Sequence, residues 1–252
     1  MALLGRVEAL WRYPVKSMQG EACGALELDR RGVAHDRLFA LRTEDGGLGS
    51  GKRTRRFRRI DGLLGLRGAI EGGALVIELP SGRRLRGGDP GIDAHLSEAL
   101  GRPVSLVRER AVRHLDAAPL HLLTTASLAW LAAALPGSAV RPERFRPNLL
   151  VGTDGGGPIE QGWIGRTLRL GPEAVIRVVA PTVRCRMVTL AQAGLPEDAR
   201  ILSHLARHAG DSFGVYAEVV SPGRVRCGDE VVDPDARAAV ESTAAGRAFP
   251  RP

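Results

Sequence analysis

A single cysteine stands between two arginines in the run from Val179 to Thr189, as Arg184, Cys185 and Arg186. A free thiol titrates near ~8.5, and flanking cations favour the thiolate, the form that attacks electrophiles or binds a soft metal. Cys185 is therefore the first candidate for chemistry. The alternative is structural, because a lone cysteine on a strand beside Val178, Val183 and Val188 also reads as a small buried hydrophobe. Lys16 and Ser17 form a second candidate group, placed on a loop by the preceding Pro14. An ammonium and a hydroxyl side by side can grip a phosphate, or simply face water. Asp36 beside Arg37 is ambiguous in the same way. In Arg144, Phe145, Arg146, Pro147 and Asn148, two guanidiniums and an amide stand at the mouth of an apolar strand, where polar groups can read a ligand. His121 is the nearest candidate proton donor, since histidine titrates near neutrality, although its place within a strand favours a structural role.

The elements that must position these groups are mostly short strands. Alternation over Arg6 to Arg12 predicts a strand with Val7, Ala9 and Trp11 on one face. Further strands are expected over Ala25 to Leu28, Leu38 to Leu41, Leu63 to Leu66, Ala74 to Leu79, Val104 to Val107 and Pro119 to Leu123. Trp163 to Gly165, Thr167 to Leu170 and Val175 to Val179 continue the pattern. Gly214 to Val220, Gly223 to Val225 and Gly228 to Val232 are expected to form a closing hairpin. Helices are expected over Asp93 to Leu100, from a Thr124 or Thr125 cap to Leu135, and over Leu202 to His208. Gly155 to Gly157 lacks the spacing and following helix of a phosphate-binding loop and reads as a connection. The fold class that follows is mainly β (α+β), with a barrel-like core and a few short helices.

A chain of 252 residues can hold one large domain or two closely associated ones. The polar stretch Glu109 to Asp116 marks a boundary, giving residues 1–108, 109–232 and an Ala-, Arg- and Pro-rich tail over 233–252 that is expected to be disordered. No apolar run is long enough to span a bilayer, and Arg6 and Glu8 interrupt any signal-peptide core, so a cytoplasmic protein without membrane partners is expected. Cys23, Cys185 and Cys227 are too scattered for a disulfide framework or a clustered metal motif. The net charge of +8 rests on arginine, since Lys16 and Lys52 are the only lysines among 36 basic residues. The densest run, Lys52 to Arg59, could meet nucleic acid, a phosphorylated cofactor or water. Phe57 is its sole aromatic, so a base-stacking platform and a nucleic-acid partner are poorly supported.

In their order and spacing, these pieces resemble the MOSC-domain family, named for the C-terminal domain of molybdenum cofactor sulfurase and accompanied by a smaller N-terminal β-rich domain. Tyr13 to Ser17, Asp36 and Arg37, Pro119 to Leu128, Arg144 to Asn148, Pro181 to Cys185, Gly214 to Tyr216, and Gly228 with Asp229 carry the resemblance, over residues 5 to 232. It implies a β-barrel core and a molybdenum cofactor (molybdopterin) site, with a domain-level association with pyridoxal phosphate. In relatives similar to the mitochondrial amidoxime-reducing component, the cysteine matching Cys185 ligates molybdenum. Residues matching Lys16, Ser17 and Arg37 hold the pterin phosphate, and those matching Arg146 and Asn148 lie against the cofactor. Arg144, Arg184 and Arg186 then read as parts of a cationic wall. The activity implied is reduction of N-hydroxylated small molecules, using a separate electron-transfer protein. A cofactor or sulfur carrier acting through Cys185 is the alternative. The chain departs from the family pattern where Glu160 is followed by Gln161 rather than a second acid, and where Ala117 and Ala118 precede Pro119 in place of a hydroxyl.

Overall fold

The computed structural model describes residues 1–110, 113–115, 117–192 and 194–236. The chain opens with β1 (Ala2–Arg12), which places Val7, Leu10 and Trp11 in the interior, followed by β2 (Glu21–Cys23), β3 (Ala25–Asp29) and β4 (Gly32–Val33). Next come β5 (Phe39–Arg42), β6 (Leu48–Ser50), β7 (Phe57–Arg59), β8 (Arg67–Glu71), β9 (Ala74–Glu78) and β10 (Arg84–Arg86). Helix α1 (Ile92–Leu100) and β11 (Ser105–Arg108) complete this portion. The remainder runs β12 (Leu120–Thr124), α2 (Thr125–Ala134), α3 (Pro142–Phe145), β13 (Leu149–Gly152), β14 (Thr167–Leu170) and β15 (Ala174–Val183). It ends with α4 (Ala199–His208), β16 (Ser212–Ser221), β17 (Gly223–Arg226) and β18 (Glu230–Asp233).

Seven strands close a barrel in the order β13, β12, β16, β15, β14, β18, β1, with β1 pairing back onto β13 and β2 added along β1. Closure leaves no free edge in the ring, so every barrel strand can be apolar on its inner face. Leu10, Leu122, Leu149, Leu168, Ile176 and Val215 fill it. The pairings are antiparallel except β12 with β13, and that parallel pair is bridged by the crossover carrying α2 and α3. Gly5 lies where β1 shifts register against β18. A Cβ there would stand 2.2 Å from the Gly152 carbonyl, so the close approach of β1 to β13 needs glycine.

A second core, including Val15, Met18, Leu41, Leu63, Ile77 and Leu96, lies under two smaller sheets ordered β10–β9–β8 and β11–β5–β6–β7. Strands from either side of residue 108 share the larger pairings, since β1 joins β13 and β18, and β3 joins β17. The mainly β class with a barrel core and short helices is the observed one. Leu63 to Leu66 departs from expectation, forming a 3-10 turn over Leu63–Gly65 after the left-handed Gly62. Trp163 likewise ends a 3-10 turn (Ile159–Trp163) behind Pro158. Short apolar runs satisfy either conformation, and burial of the side chains decided nothing between them. No closing hairpin forms, since β16, β17 and β18 pair with different partners. Of the predicted tail, Asp233 is buried in β18 and bonded to Arg166, while 237–252 lie outside the described residues.

One buried carboxylate fastens the helical crossover to the barrel. Glu160 is fully buried and accepts from Thr124 Oγ1 at 2.7 Å and Ser127 Oγ at 2.6 Å, while Thr124 also caps α2 through Ser127 N. Glu160→Ala leaves the Ser127 hydroxyl without a partner and the Thr124 hydroxyl without an acceptor, which costs about 2 kcal/mol. The expected result is a Tm lowered by roughly 5 °C in a thermal melt, with the β-rich circular dichroism spectrum retained.

Candidate functional site

The rim of the barrel gathers the ends of β1 and β15 and the starts of β12, β13 and β16 at one place. Arg12 runs into Tyr13 there, His121 pairs with Tyr216 across β12 and β16, and β15 leads through Arg184 into Cys185. The rim cleft encloses about 820 Å3, the open solvent at its mouth included. Lys16, Ser17, Arg37, Arg146, Asn148, Arg184 and Cys185 all line it, so seven of the eight expected site residues come together.

Asn148, almost wholly buried, is the joint of the rim. Its side chain accepts from His121 N at 3.2 Å and from Arg37 Nη1 at 3.5 Å, and donates to the Trp11 carbonyl at 3.3 Å. Arg37 is steered by Asp36, a fully buried carboxylate that accepts from its guanidinium and from Tyr13 N. The Tyr13 ring lies between two cations, with Arg37 at 4.7 Å and Arg146 at 4.3 Å from its centroid. Burial, outweighing both cations, pushes the Tyr13 phenol up, so it stays protonated at neutral pH.

Backbone strain concentrates at the same place. Five non-glycine residues among those described have φ in the left-handed region, and Ser17 (64°), Arg37 (47°) and Arg146 (58°) line the cleft. Each such residue costs about 1 kcal/mol or more, and such conformations persist where the surroundings fix them. Arg146 shows how: it ends α3, a position that favours glycine, and its amide bonds to the Pro142 carbonyl. The resulting turn aims the guanidinium over Tyr13 and toward the Met18 carbonyl.

Cys185 is half-buried at the start of a 3-10 turn over Arg186–Val188, where its carbonyl accepts from Val188 N. Arg184 beside it donates to the Phe145 carbonyl at 2.7 Å. Among the described residues the cleft lining carries Lys16, Arg37, Lys52, Arg146 and Arg184 and no carboxylate. Such a site suits an anion near a thiol. Among the described residues, no three of His, Cys, Asp and Glu cluster to hold a metal ion.

The MOSC domain model matches residues 92–232, and that of the MOSC N-terminal beta barrel domain matches residues 4–102. The chain belongs to the MOSC-domain family. MOSC domains are associated with molybdenum cofactor binding in general. The YuaD protein from Bacillus subtilis has the same fold, at 17% identity and a TM-score of 0.50, over 90% of this chain and 93% of that one. YiiM from Escherichia coli aligns at 22% identity and a TM-score of 0.33, over 46% of this chain and 55% of that one. No curated protein matches.

In this MOSC cleft three expectations change. Arg144 does not line it: fully buried, it donates to the carbonyls of Ala139, Val188, Leu190 and Pro196. A planar fork satisfies several carbonyls that strands and helices leave over, which makes Arg144 a brace under the Cys185 turn rather than a cofactor contact. Arg186 is exposed and also points away from the cleft lining, so Arg184 alone supplies the wall beside the thiol. His121 lines the cleft, but burial first and the Arg184 cation second push its pKa well below the usual range. It is neutral at neutral pH, which removes the imidazolium donor that its residue type offered. Its Nδ1 lies 3.3 Å from the Arg146 carbonyl, and a Cβ on Gly214 (φ 83°) would stand 2.4 Å from Nε2.

Ser50, Lys52 and Tyr216 join Cys185 in the lining, arriving from the small sheet, the loop after it and β16. Lys52 belongs to the basic run that could meet a phosphorylated cofactor and Tyr216 to the family pattern, while nothing in the local pattern marked Ser50. Ala118 lines the cleft where a hydroxyl was expected. Gln161, at the place of a second acid, donates to the Gly214 carbonyl at 2.9 Å and so holds the strand facing His121.

Two measurements check this arrangement. Arg144→Met leaves four buried carbonyls short of donors and is expected to destabilise the protein by about 3 kcal/mol in urea unfolding. His121 and His114 both have folded pKa values lowered by burial, so the unfolded chain takes up protons first as pH falls below 6.5. Their contribution to stability is present above that value and is lost on acidification toward the folded pKa. Tm is expected to fall between about pH 7.5 and about pH 5.5, with a shallower fall in His121→Gln.

Proposed function

We propose that the protein is a molybdenum-cofactor-dependent reductase that removes oxygen from N-hydroxylated small molecules, drawing electrons from a separate donor protein. The observation that carries this reading is one thiol in a rim cleft to which the described residues contribute five cations, Lys16, Arg37, Lys52, Arg146 and Arg184. Cys185 Sγ would ligate the metal, a soft ligand for a metal held otherwise by the cofactor's own sulfur atoms. Lys16 and Arg37 would hold the cofactor phosphate with the Ser17 hydroxyl as a further donor, and Arg146 and Asn148 would flank its ring system. When bound, the cofactor supplies a two-electron redox centre.

The reaction balances as R–NHOH plus two electrons and two protons, giving R–NH2 and water. The chain's own part is positioning. Asp36 fixes the Arg37 guanidinium, Asn148 fixes the rim strands, and neutral His121 keeps a further positive charge away from Arg184.

The test is molybdenum and pterin content of protein produced with abundant cofactor, followed by reduction of an N-hydroxyamidine with a chemical reductant. Cys185→Ser is expected to keep the wild-type melt and to lose at least about 100-fold in kcat/KM. Retained turnover would mean that Cys185 is not the ligand. Metal-free protein with persulfide on Cys185 would instead support the sulfur-carrier reading.

A further inference from the structure

A second cationic concavity lies beside the cleft and is not used by it. The groove is walled by Arg42, Arg55, Arg56, Arg58, Arg108 and Arg110, from β5, β7, β11 and the loops at their ends. Asp45 is the one acidic residue among the described ones that line it, and that carboxylate is already engaged by Arg58 and Thr43. Arg42, Arg55, Arg108 and Arg110 are exposed and make no ion pair or side-chain hydrogen bond with the described residues. Elsewhere exposed arginines find carboxylates, as in Arg6 with Glu230, Arg84 with Glu71 and Arg224 with Glu27. Four uncompensated guanidiniums around one groove repel one another and give it a positive potential that an anionic surface would relieve.

One chain segment separates groove from cleft. His114 lines the groove, Leu115 lines the cleft, and the His114 carbonyl accepts from Lys16 Nζ at 2.8 Å. Arg56 braces the same segment through the Arg113 and Leu115 carbonyls. Behind it, Lys16, Lys52 and Arg56 surround the Phe57 ring at 4.7, 5.1 and 5.3 Å. A molecule seated in the groove therefore meets the same segment, through His114, that Lys16 of the cleft holds.

We propose that this groove docks an acidic electron-transfer protein. The inference rests on the reductase reading, which requires an external donor, and it names where that donor binds and the charge that it carries. Charge complementarity sets both encounter rate and orientation in such pairs. The groove offers no exposed aromatic for base stacking, since Phe57 is buried, so the same charge suits a protein better than a single-stranded nucleic acid. In each turnover the donor would release two electrons singly, its own cluster being oxidised each time.

The test measures binding and turnover separately. A labelled acidic plant-type [2Fe–2S] ferredoxin is titrated with the full chain, and Kd is read by fluorescence anisotropy at about 20 mM and about 200 mM salt. Binding is expected to weaken at least about tenfold with salt, and at least about tenfold in Arg55→Glu/Arg108→Glu, which leaves turnover with a chemical reductant unchanged. Arg177→Glu, an exposed charge reversal on β15, is expected to leave binding unchanged. The proposal is overturned by equal loss in Arg177→Glu, which would make the attraction a general effect of the +8 charge. It is also overturned if the ferredoxin does not bind, if binding is indifferent to the groove reversals, or if a single-stranded RNA binds more tightly there than the ferredoxin. Loss of chemically driven turnover in the wild type, with groove-dependent binding intact, would count against the reductase reading and not against the docking face.

Discussion

Asn148 accepts from the first residue pair of β12, donates to the end of β1 and accepts from Arg37, so one amide holds two strands of the barrel and one cation of the cleft in fixed relation. An amide suits this post because it offers a donor and an acceptor on one rigid plane. A carboxylate could not donate to Trp11, and an apolar residue would leave the His121 amide without its side-chain acceptor. The β12–β13 pair is parallel, and its strands must be fixed from outside because no tight turn joins them. The rim geometry, and with it the direction from which Arg37 and Arg146 enter the cleft, depends on that amide.

The cost of the arrangement is visible in the backbone. Ser17, Arg37 and Arg146 hold left-handed conformations that glycine would adopt more easily, yet glycine there would remove the hydroxyl and both guanidiniums. Strain of about 1 kcal/mol or more per residue is offset by the burial around it. Val15 and Met18 flank the Lys16–Ser17 turn in the second core, and Phe145, stacked at 4.6 Å on Phe213, anchors the turn that ends in Arg146. The apolar clusters thus do more than stabilise the fold, because they enforce the side-chain directions that make a cationic cleft.

Much of this was legible in the residues. Alternation located β1, short apolar or β-rich runs located β9, β12 and β14, and Thr124 announced α2 because it caps it. Cys185, Lys16, Arg37 and Asn148 stood in short motifs that left structural and ligand-binding roles open, and only the resemblance to the MOSC-domain family pointed to a metal ligand and a phosphate grip. Arg144 misled for a physical reason: two arginines two positions apart look alike in sequence, while a four-residue helix sends one side chain inward and the next turn sends the other to the cleft. Nor could local pattern reveal that β17 leaves the C-terminal strands for β3, or that Lys52 joins Lys16 on Phe57, since both depend on pairings between distant segments.

Gathering five cations around a small cleft works against folding, because like charges brought close together in a partly dehydrated space raise one another's energy. The fold steers these cations with local dipoles as well as with charge. Lys16 donates to the His114 carbonyl, Arg146 to the Met18 carbonyl and Arg184 to the Phe145 carbonyl, and Arg37 is paired with Asp36. A carbonyl oxygen orients a cation without cancelling its charge. A phosphate entering such a site replaces repulsion by attraction, and whatever binds the folded state alone adds its binding energy to stability. Asp36, buried and bonded also to Tyr13 N, orients the Arg37 guanidinium that lines the cleft.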